Sequence, residues 1–476
     1  MRSEAASRRK VVLYNPKAVF FTMPLGLLAV GSHLDPERYE VVIVDARLEE
    51  DPVATLLTHL PDALCLGITV LTGAPIRDAI HASRAAKRAR PDLPVVWGGW
   101  HPSLFGTECF EEPSVDVTVQ AQGEETFAEI LARLEAGESL EGCAGCTYRA
   151  RDGGVQRNPG RIFSNVGGFR PHDYALLPVE RYFALKGRRQ IDYVSSQGCH
   201  FRCAFCADPF VFGRSWAGLD PVRMGEEIEL LWKRHRFDDV NFQDETFFTH
   251  ADRVEGIARE FVDRKLPITW AATMRADQGD RLPEESFALC RRSGLRRVII
   301  GVEAGSQEMM DRIRKDIRRE QVFRSAEKCL RHGIHVNFPF ILCFPGETEA
   351  SIRASLDTAR ELRAMSPTFE TPLFYFKPYP GTPLTAEAVA AGYVLPQTLE
   401  QWADFDFYRS ESPWLTPERE ALIERYRFYQ KFGYDVPRGL LRPLQSLARW
   451  RCERRAFGFP IERALANVFF PPQALS

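Results

Sequence analysis

SSQGCHFRCAFCADPF, residues 195–210, sets Cys199, Cys203 and Cys206 at C-x3-C-x2-C spacing, with Phe205 directly before the last thiol. The run before it, IDYVSSQ (191–197), reads as a buried strand, so the triplet falls on the loop at a strand's carboxyl end. Three thiolates on one tight loop can hold three corners of an iron–sulfur cubane and leave the fourth iron open to an outside ligand. A zinc site would want a fourth Cys or His at matched spacing, and His200, caught between two of the cysteines, is badly placed to fold back. Three unconnected thiols are the plainer alternative.

Downstream of the triplet, candidate strands recur at 238–244, 268–274, 296–302, 335–343 and 369–377, separated by stretches of amphipathic helical spacing such as RMGEEIELLWKR and EASIRASLDTARELRA. Six β/α units in order predict a barrel or partial barrel with its chemistry at the strands' carboxyl ends. Upstream, VVLYNP (11–16), EVVIVDA (40–46), ALCLGITV (63–70), PVVWGGW (94–100) and VDVTVQA (115–121) alternate with helical stretches and predict a parallel Rossmann-like sheet. Its strand ends carry Asn15-Pro16, Thr69 with Thr72-Gly73, Gly98-Gly99 with His101, and Gln122-Gly123-Glu124. These are either a ligand edge or ordinary turns and caps. No G-x-G-x-x-G follows the first strand, which counts against a dinucleotide.

The chain's 476 residues allow two or three domains, and a formal net charge of −2 gives no global reason to bind nucleic acid. Eleven cysteines without evident disulfide spacing favour a reducing, cytoplasmic setting. The apolar run after the basic start is broken by Asn15, Pro16, Lys17, Pro24 and Gly26, so neither a signal peptide nor a membrane span fits. Cys143 and Cys146 in GCAGC are half a zinc site, a redox pair or, by default, two structural thiols. The tail from 396 turns helical and then basic, with Arg438, Arg442, Arg449, Arg451, Arg454 and Arg455 interleaved with Leu and Trp450. It reads as a helix covering the barrel or, alternatively, as a peripheral membrane contact.

C-x3-C-x-Phe-C after the first strand of a partial barrel resembles the signature of the radical S-adenosylmethionine (SAM) enzymes. The resemblance implies that Cys199, Cys203 and Cys206 ligate a [4Fe-4S] cluster, that SAM chelates the open iron, and that Phe205 lies against adenine. One-electron reduction would then cleave SAM to methionine and a hydrogen-abstracting 5′-deoxyadenosyl radical. In order, QDETF, MRAD, GVEAGS, FPGET and PYPGTPL resemble the motifs of one large subgroup. They imply SAM contacts from Asp244, Glu245, Arg275, Glu303 and Ser306. The chain departs from that pattern at Ala304, usually Ser, and at Cys343, usually Gly.

A Rossmann-like domain before such a barrel is similar to the cobalamin-binding radical SAM subgroup, which includes methyltransferases and the anaerobic magnesium-protoporphyrin cyclase. This implies a corrinoid held along Thr69, Thr72, Gly73, Gly98, Gly99, His101, Gly123 and Glu124. D-x-H-x-x-G is absent, which implies cobalt without a protein ligand below; His101 is then either a contact or a turn and packing residue. The expected layout is 1–140 cobalamin-binding, 141–185 connecting, 186–395 radical SAM barrel and 396–476 helical extension. The expected activity is cobalamin-dependent methyl transfer to an unactivated carbon of a small, hydrophobic substrate, fed by a one-electron donor such as flavodoxin or ferredoxin. Radical cyclisation or rearrangement is the rival, and a non-catalytic iron–sulfur sensor is the rival of another class.

Overall fold

A computed structural model describes residues 8–405, 411–434, 442–454 and 456. Five parallel strands, β1 (Arg9–Asn15), β2 (Tyr39–Asp45), β3 (Ala63–Thr69), β4 (Val95–Gly98) and β5 (Val117–Val119), form the first sheet in the order β2-β1-β3-β4-β5. Valine-rich strands covered on both faces explain the near-continuous apolar runs. The helices α1 (Leu25–His33) and α5 (Glu124–Ala136) pack on one face through Leu27 and Phe127. On the other face, α2 (Pro52–His59) and α3 (Pro75–Ala89) pack through Leu56 and Ile76. In-register pairs Asn15↔Asp45 and Thr69↔Gly98 align the carboxyl ends on one edge, followed after β4 by the short helix α4 (Trp100–Leu104).

Two more strands, β6 (Cys146–Arg149) and β7 (Val155–Arg157), lie in the stretch expected as a connector and extend this sheet antiparallel beyond β5. Cys143 and Cys146 are fully buried beneath them, with the Cys146 thiol donating to Cys143 O at 3.3 Å and accepting from Asn158 at 3.4 Å. That is a packing role.

The second sheet runs in sequence order: β8 (Gln190–Tyr193), β11 (Asp239–Phe242), β12 (Thr269–Met274), β13 (Leu295–Ile300), β14 (His335–Asn337) and β16 (Phe369–Glu370), all parallel. A small hairpin of β9 (Ser196–Gly198) and β10 (Trp216–Gly218) projects from the end of β8 and brackets the cysteine loop. The fifth and sixth expected strands each break. Their second halves, β15 (Phe340–Leu342) and β17 (Leu373–Tyr375), pair separately after Pro339 and Pro372, which lack the N–H that would continue the ladder. An open, partial barrel results.

Helices Pro417–Tyr434 and Arg442–Arg454 pack on each other through Phe428, Tyr429, Phe432, Ala448 and Cys452. Arg449 faces the Tyr434 ring and Trp450 faces outward, while Arg438 and Arg455 lie outside the described residues. Among the described residues no helix is long and apolar enough to cross a membrane.

Candidate active site between the two sheets

The cysteine loop is anchored from behind. Asp244, just beyond β11, is 1% exposed and accepts from Ser195 N (2.8 Å), Ser195 Oγ (2.6 Å) and Ser196 Oγ (2.5 Å). Burial pushes its carboxyl up, against the pull of Arg253 and these hydrogen bonds. Arg253 in turn donates to Ser195 O at 2.9 Å. Asp244, expected to meet the SAM ammonium, therefore spends its oxygens on the strand leading to Cys199. Its neighbour Glu245 differs: it lines the cavity described below and accepts from Gly198 N at 3.2 Å. Burial and the nearby Asp208 push its pKa up to about 8.

Cys203 is buried, while Cys199 and Cys206 are partly exposed. Arg275 places Nη1 3.7 Å from Cys203 Sγ, its guanidinium 3.7 Å from the Phe201 ring centre, and its other nitrogens on Asp277 (Nε, 2.9 Å) and Lys315 O (2.5 Å). Arg275, expected to contact SAM, thus also braces the cluster loop. Lys315, which the motifs did not single out, is buried, pairs with Glu303 at 2.8 Å and lies 5.9 Å from the Phe205 ring centre. Glu303 sits at φ +66, a conformation its ion pair helps hold. Ser306 caps the helix Gln307–Arg312, accepting from Met309 N at 3.2 Å, and contacts Ser351 Oγ at 3.1 Å, so its hydroxyl is occupied structurally. Three thiols on one loop, with Arg275 and Lys315 bringing positive charge to Cys203, suit a thiolate-ligated iron–sulfur cluster; burial pushes the Cys199 and Cys206 thiols up, so ligation there would release their protons.

A cavity of about 570 Å³ opens between the two sheets. Thr69, Gly98, Gly99, Gly123 and Glu124 line it from the first sheet, and Val194, Gln197, Gln243 and Glu245 from the second. Its walls are mainly apolar; among the described residues its one lining Lys or Arg, Arg47, is paired with Asp45 at 2.6 Å, and burial raises the pKa values of both Glu124 and Glu245. A Cβ on Gly26, at the start of α1, would project into space with no heavy atom within 4 Å, and one on Gly98 would meet nothing nearer than 3.8 Å. A broad, near-neutral, glycine-edged cleft fits a corrin ring with its neutral amides.

Thr72, Gly73 and His101 do not line this cavity. His101 is fully buried, with Nδ1 3.2 Å from Thr72 Oγ1 and its ring packed against Phe105 (4.8 Å) and Trp402 (6.1 Å). Burial lowers its pKa to about 3. Gly73, at φ +107, approaches Phe405 so closely that a Cβ would stand 2.9 Å from the Phe405 carbonyl oxygen. The helix Leu399–Ala403 and Phe405 complete the core of the first domain here, with Arg77–Asp404 at 2.8 Å at the rim. These three residues hold the segment 399–405 against the first sheet, so His101 takes the packing role.

Residues 193–359 match the Radical SAM superfamily model, and residues 12–131 match the B12 binding domain model. An uncharacterized methyltransferase of Pyrococcus horikoshii is 29% identical over 412 residues, covering 85% of each chain. The anaerobic magnesium-protoporphyrin IX monomethyl ester cyclase of Rubrivivax gelatinosus is 28% identical over 346 residues, 71% of this chain and 60% of its own. Among solved structures, the cobalamin-dependent SAM radical enzyme OxsB with aqua-cobalamin bound superposes with a TM-score of 0.74 at 17% identity, covering 97% of this chain and 75% of that one. The chain belongs to the cobalamin-binding radical SAM enzymes. Its cofactors are a [4Fe-4S] cluster, SAM and cobalamin.

Proposed function

We propose that this enzyme methylates an unactivated carbon of a small, hydrophobic molecule. The carrying observation is the cavity itself, because one space is lined both by the strand ends of the B12-binding sheet and by Gln197, Gln243 and Glu245 of the barrel. When bound, the cluster with SAM supplies a hydrogen-abstracting adenosyl radical, and the corrinoid supplies the methyl group. Cys199, Cys203 and Cys206 hold the cluster, and Asp244 fixes the loop that carries them. Glu245, its pKa pushed up to about 8 by burial and Asp208, would receive the ammonium of SAM, whose positive charge would favour the ionised carboxylate. Phe205, with the Lys315 ammonium 5.9 Å from its ring centre, would lie against adenine, and Gly26, Gly98 and Gly99 would seat the corrin. Apolar walls keep water from the radical. A one-electron donor such as a flavodoxin or ferredoxin delivers the electron.

Anaerobic turnover with deuterated-methyl SAM in a small-molecule extract tests this reading. Equal yields of 5′-deoxyadenosine and S-adenosylhomocysteine, with one product carrying the labelled methyl, are expected. 5′-Deoxyadenosine without S-adenosylhomocysteine or label would refute methyl transfer and favour radical cyclisation or rearrangement, ring formation being the activity named for the cyclase relative.

A further inference from the structure

Gln197 lies on β9, two residues before Cys199, yet its side chain belongs to the other domain's edge. Its Nε2 donates to Glu124 Oε1 at 2.8 Å, and its Oε1 accepts from Gln122 Nε2 at 2.8 Å. Gln122 and Glu124 flank Gly123 at the amino end of α5, and both are buried, at 8% and 4% exposed. Gln122 is held in turn by Ser164, whose N donates to Gln122 Oε1 at 2.8 Å and whose Oγ reaches Glu125 at 2.9 Å. On the barrel side, the same four-residue stretch is fixed by Asp244 at Ser195 and Ser196 and by Glu245 at Gly198. Gln122, Glu124, Gln197 and Glu245 all line the cavity.

The stretch leading to the first cluster ligand is thus clamped between the corrinoid edge and the barrel carboxylates Asp244 and Glu245. Moving either clamp displaces the other through hydrogen bonds that are costly to leave unmade when buried. We infer that Gln197 is a positioning residue that couples corrinoid binding to SAM binding, each ligand changing the affinity for the other. The inference rests on where the two cofactors sit and not on methyl transfer. Coupling of this kind is reciprocal and commonly amounts to about 5- to 150-fold in affinity.

The test is an equilibrium measurement on the cluster-reconstituted full chain, without reductant so that nothing turns over. Hydroxocobalamin is titrated by quenching of tryptophan fluorescence with and without saturating SAM, and SAM is then titrated with and without hydroxocobalamin. The wild-type chain is expected to show the same shift, about fivefold or more, in both directions. In Gln197→Leu that shift is expected to fall below about twofold while each ligand still binds alone. If Gln197→Leu fails to retain iron, Gln122→Leu, which removes one strut and leaves β9 intact, carries the decision: loss of coupling supports the inference and retention overturns it. Equal coupling in the wild type and Gln197→Leu, or none in the wild type, overturns it as well. Because no product is formed, failure of methyl transfer leaves this result standing, and failure here leaves methyl transfer standing.

Discussion

Replacing Trp402 by Ala tests whether the distant tail segment is part of the first domain's core. Trp402 is 5% exposed, with ring centres 4.6 Å from Phe105 and 5.2 Å from Phe405. A tryptophan buries about 150–250 Å², which at about 25 cal/mol/Å² is worth roughly 4–6 kcal/mol; the alanine that remains returns part of it. Trp→Ala changes of this kind cost about 3–5 kcal/mol. The loss should be local, since the partners are His101, Phe105 and Phe405 and the cysteine loop lies in a different core cluster. Hydrogen exchange should report it best at amides near the contact, such as His101 N, which bonds Val70 O at 2.9 Å, and Val70 N, which bonds Gly98 O at 2.8 Å. If opening becomes easier by 3–5 kcal/mol, exchange there should rise by roughly two to three and a half orders of magnitude, with iron content unchanged. An increase of less than about fivefold, equivalent to under ~1 kcal/mol, would refute the packing assigned to the tail.

Gly26→Phe should fill the corrin seat and weaken cobalamin binding by about tenfold or more at unchanged iron content, as read by absorbance titration. Asp244→Asn should cost about 2–3 kcal/mol and release iron, whereas Glu245→Gln should keep its iron and lose affinity for SAM; iron analysis and SAM binding read both. His101, with its pKa lowered to about 3, stays neutral when folded while the unfolded chain takes up a proton near the ordinary 6.5. Its contribution is complete above that value and is lost as pH falls from 6.5 toward 3, by about 1.4 kcal/mol per pH unit. The stability advantage of wild type over His101→Gln should therefore shrink between pH 6.5 and 5 in parallel denaturant titrations, and a pH-independent difference would contradict the burial argument.

The strand periodicity, the three-cysteine loop and the glycine edge at Gly98–Gly99 were legible because each is local: spacing along one segment dictates them. Residue roles that depend on distant partners were not. Asp244 and Glu245 are adjacent carboxylates of equal promise in sequence, and only the serines at 195 and 196 decide that Asp244 is the anchor. The line Thr69, Thr72, Gly73 looked like one ligand edge, but of the three only Thr69 lines the cavity, and Phe405, more than 300 residues on, covers Gly73. Lys315 carried no motif signal, since nothing in KDI announces that its ammonium folds back onto Glu303 beside Phe205. Gln197 was invisible for the same reason: a polar residue at the end of a predicted strand carries no signal of a role until Gln122 and Glu124 arrive from the other domain.

The central claim is that one chain places a [4Fe-4S] cluster, on the loop that follows the cavity-lining Gln197, close to a corrinoid seated against the B12-binding sheet. Pulsed dipolar EPR on the anaerobically reduced, cobalamin-loaded enzyme measures this directly. The account predicts a resolved magnetic interaction between the reduced cluster and cob(II)alamin that disappears when Gly26→Phe excludes the corrinoid. Two superposed, non-interacting spectra in the fully loaded enzyme would contradict it.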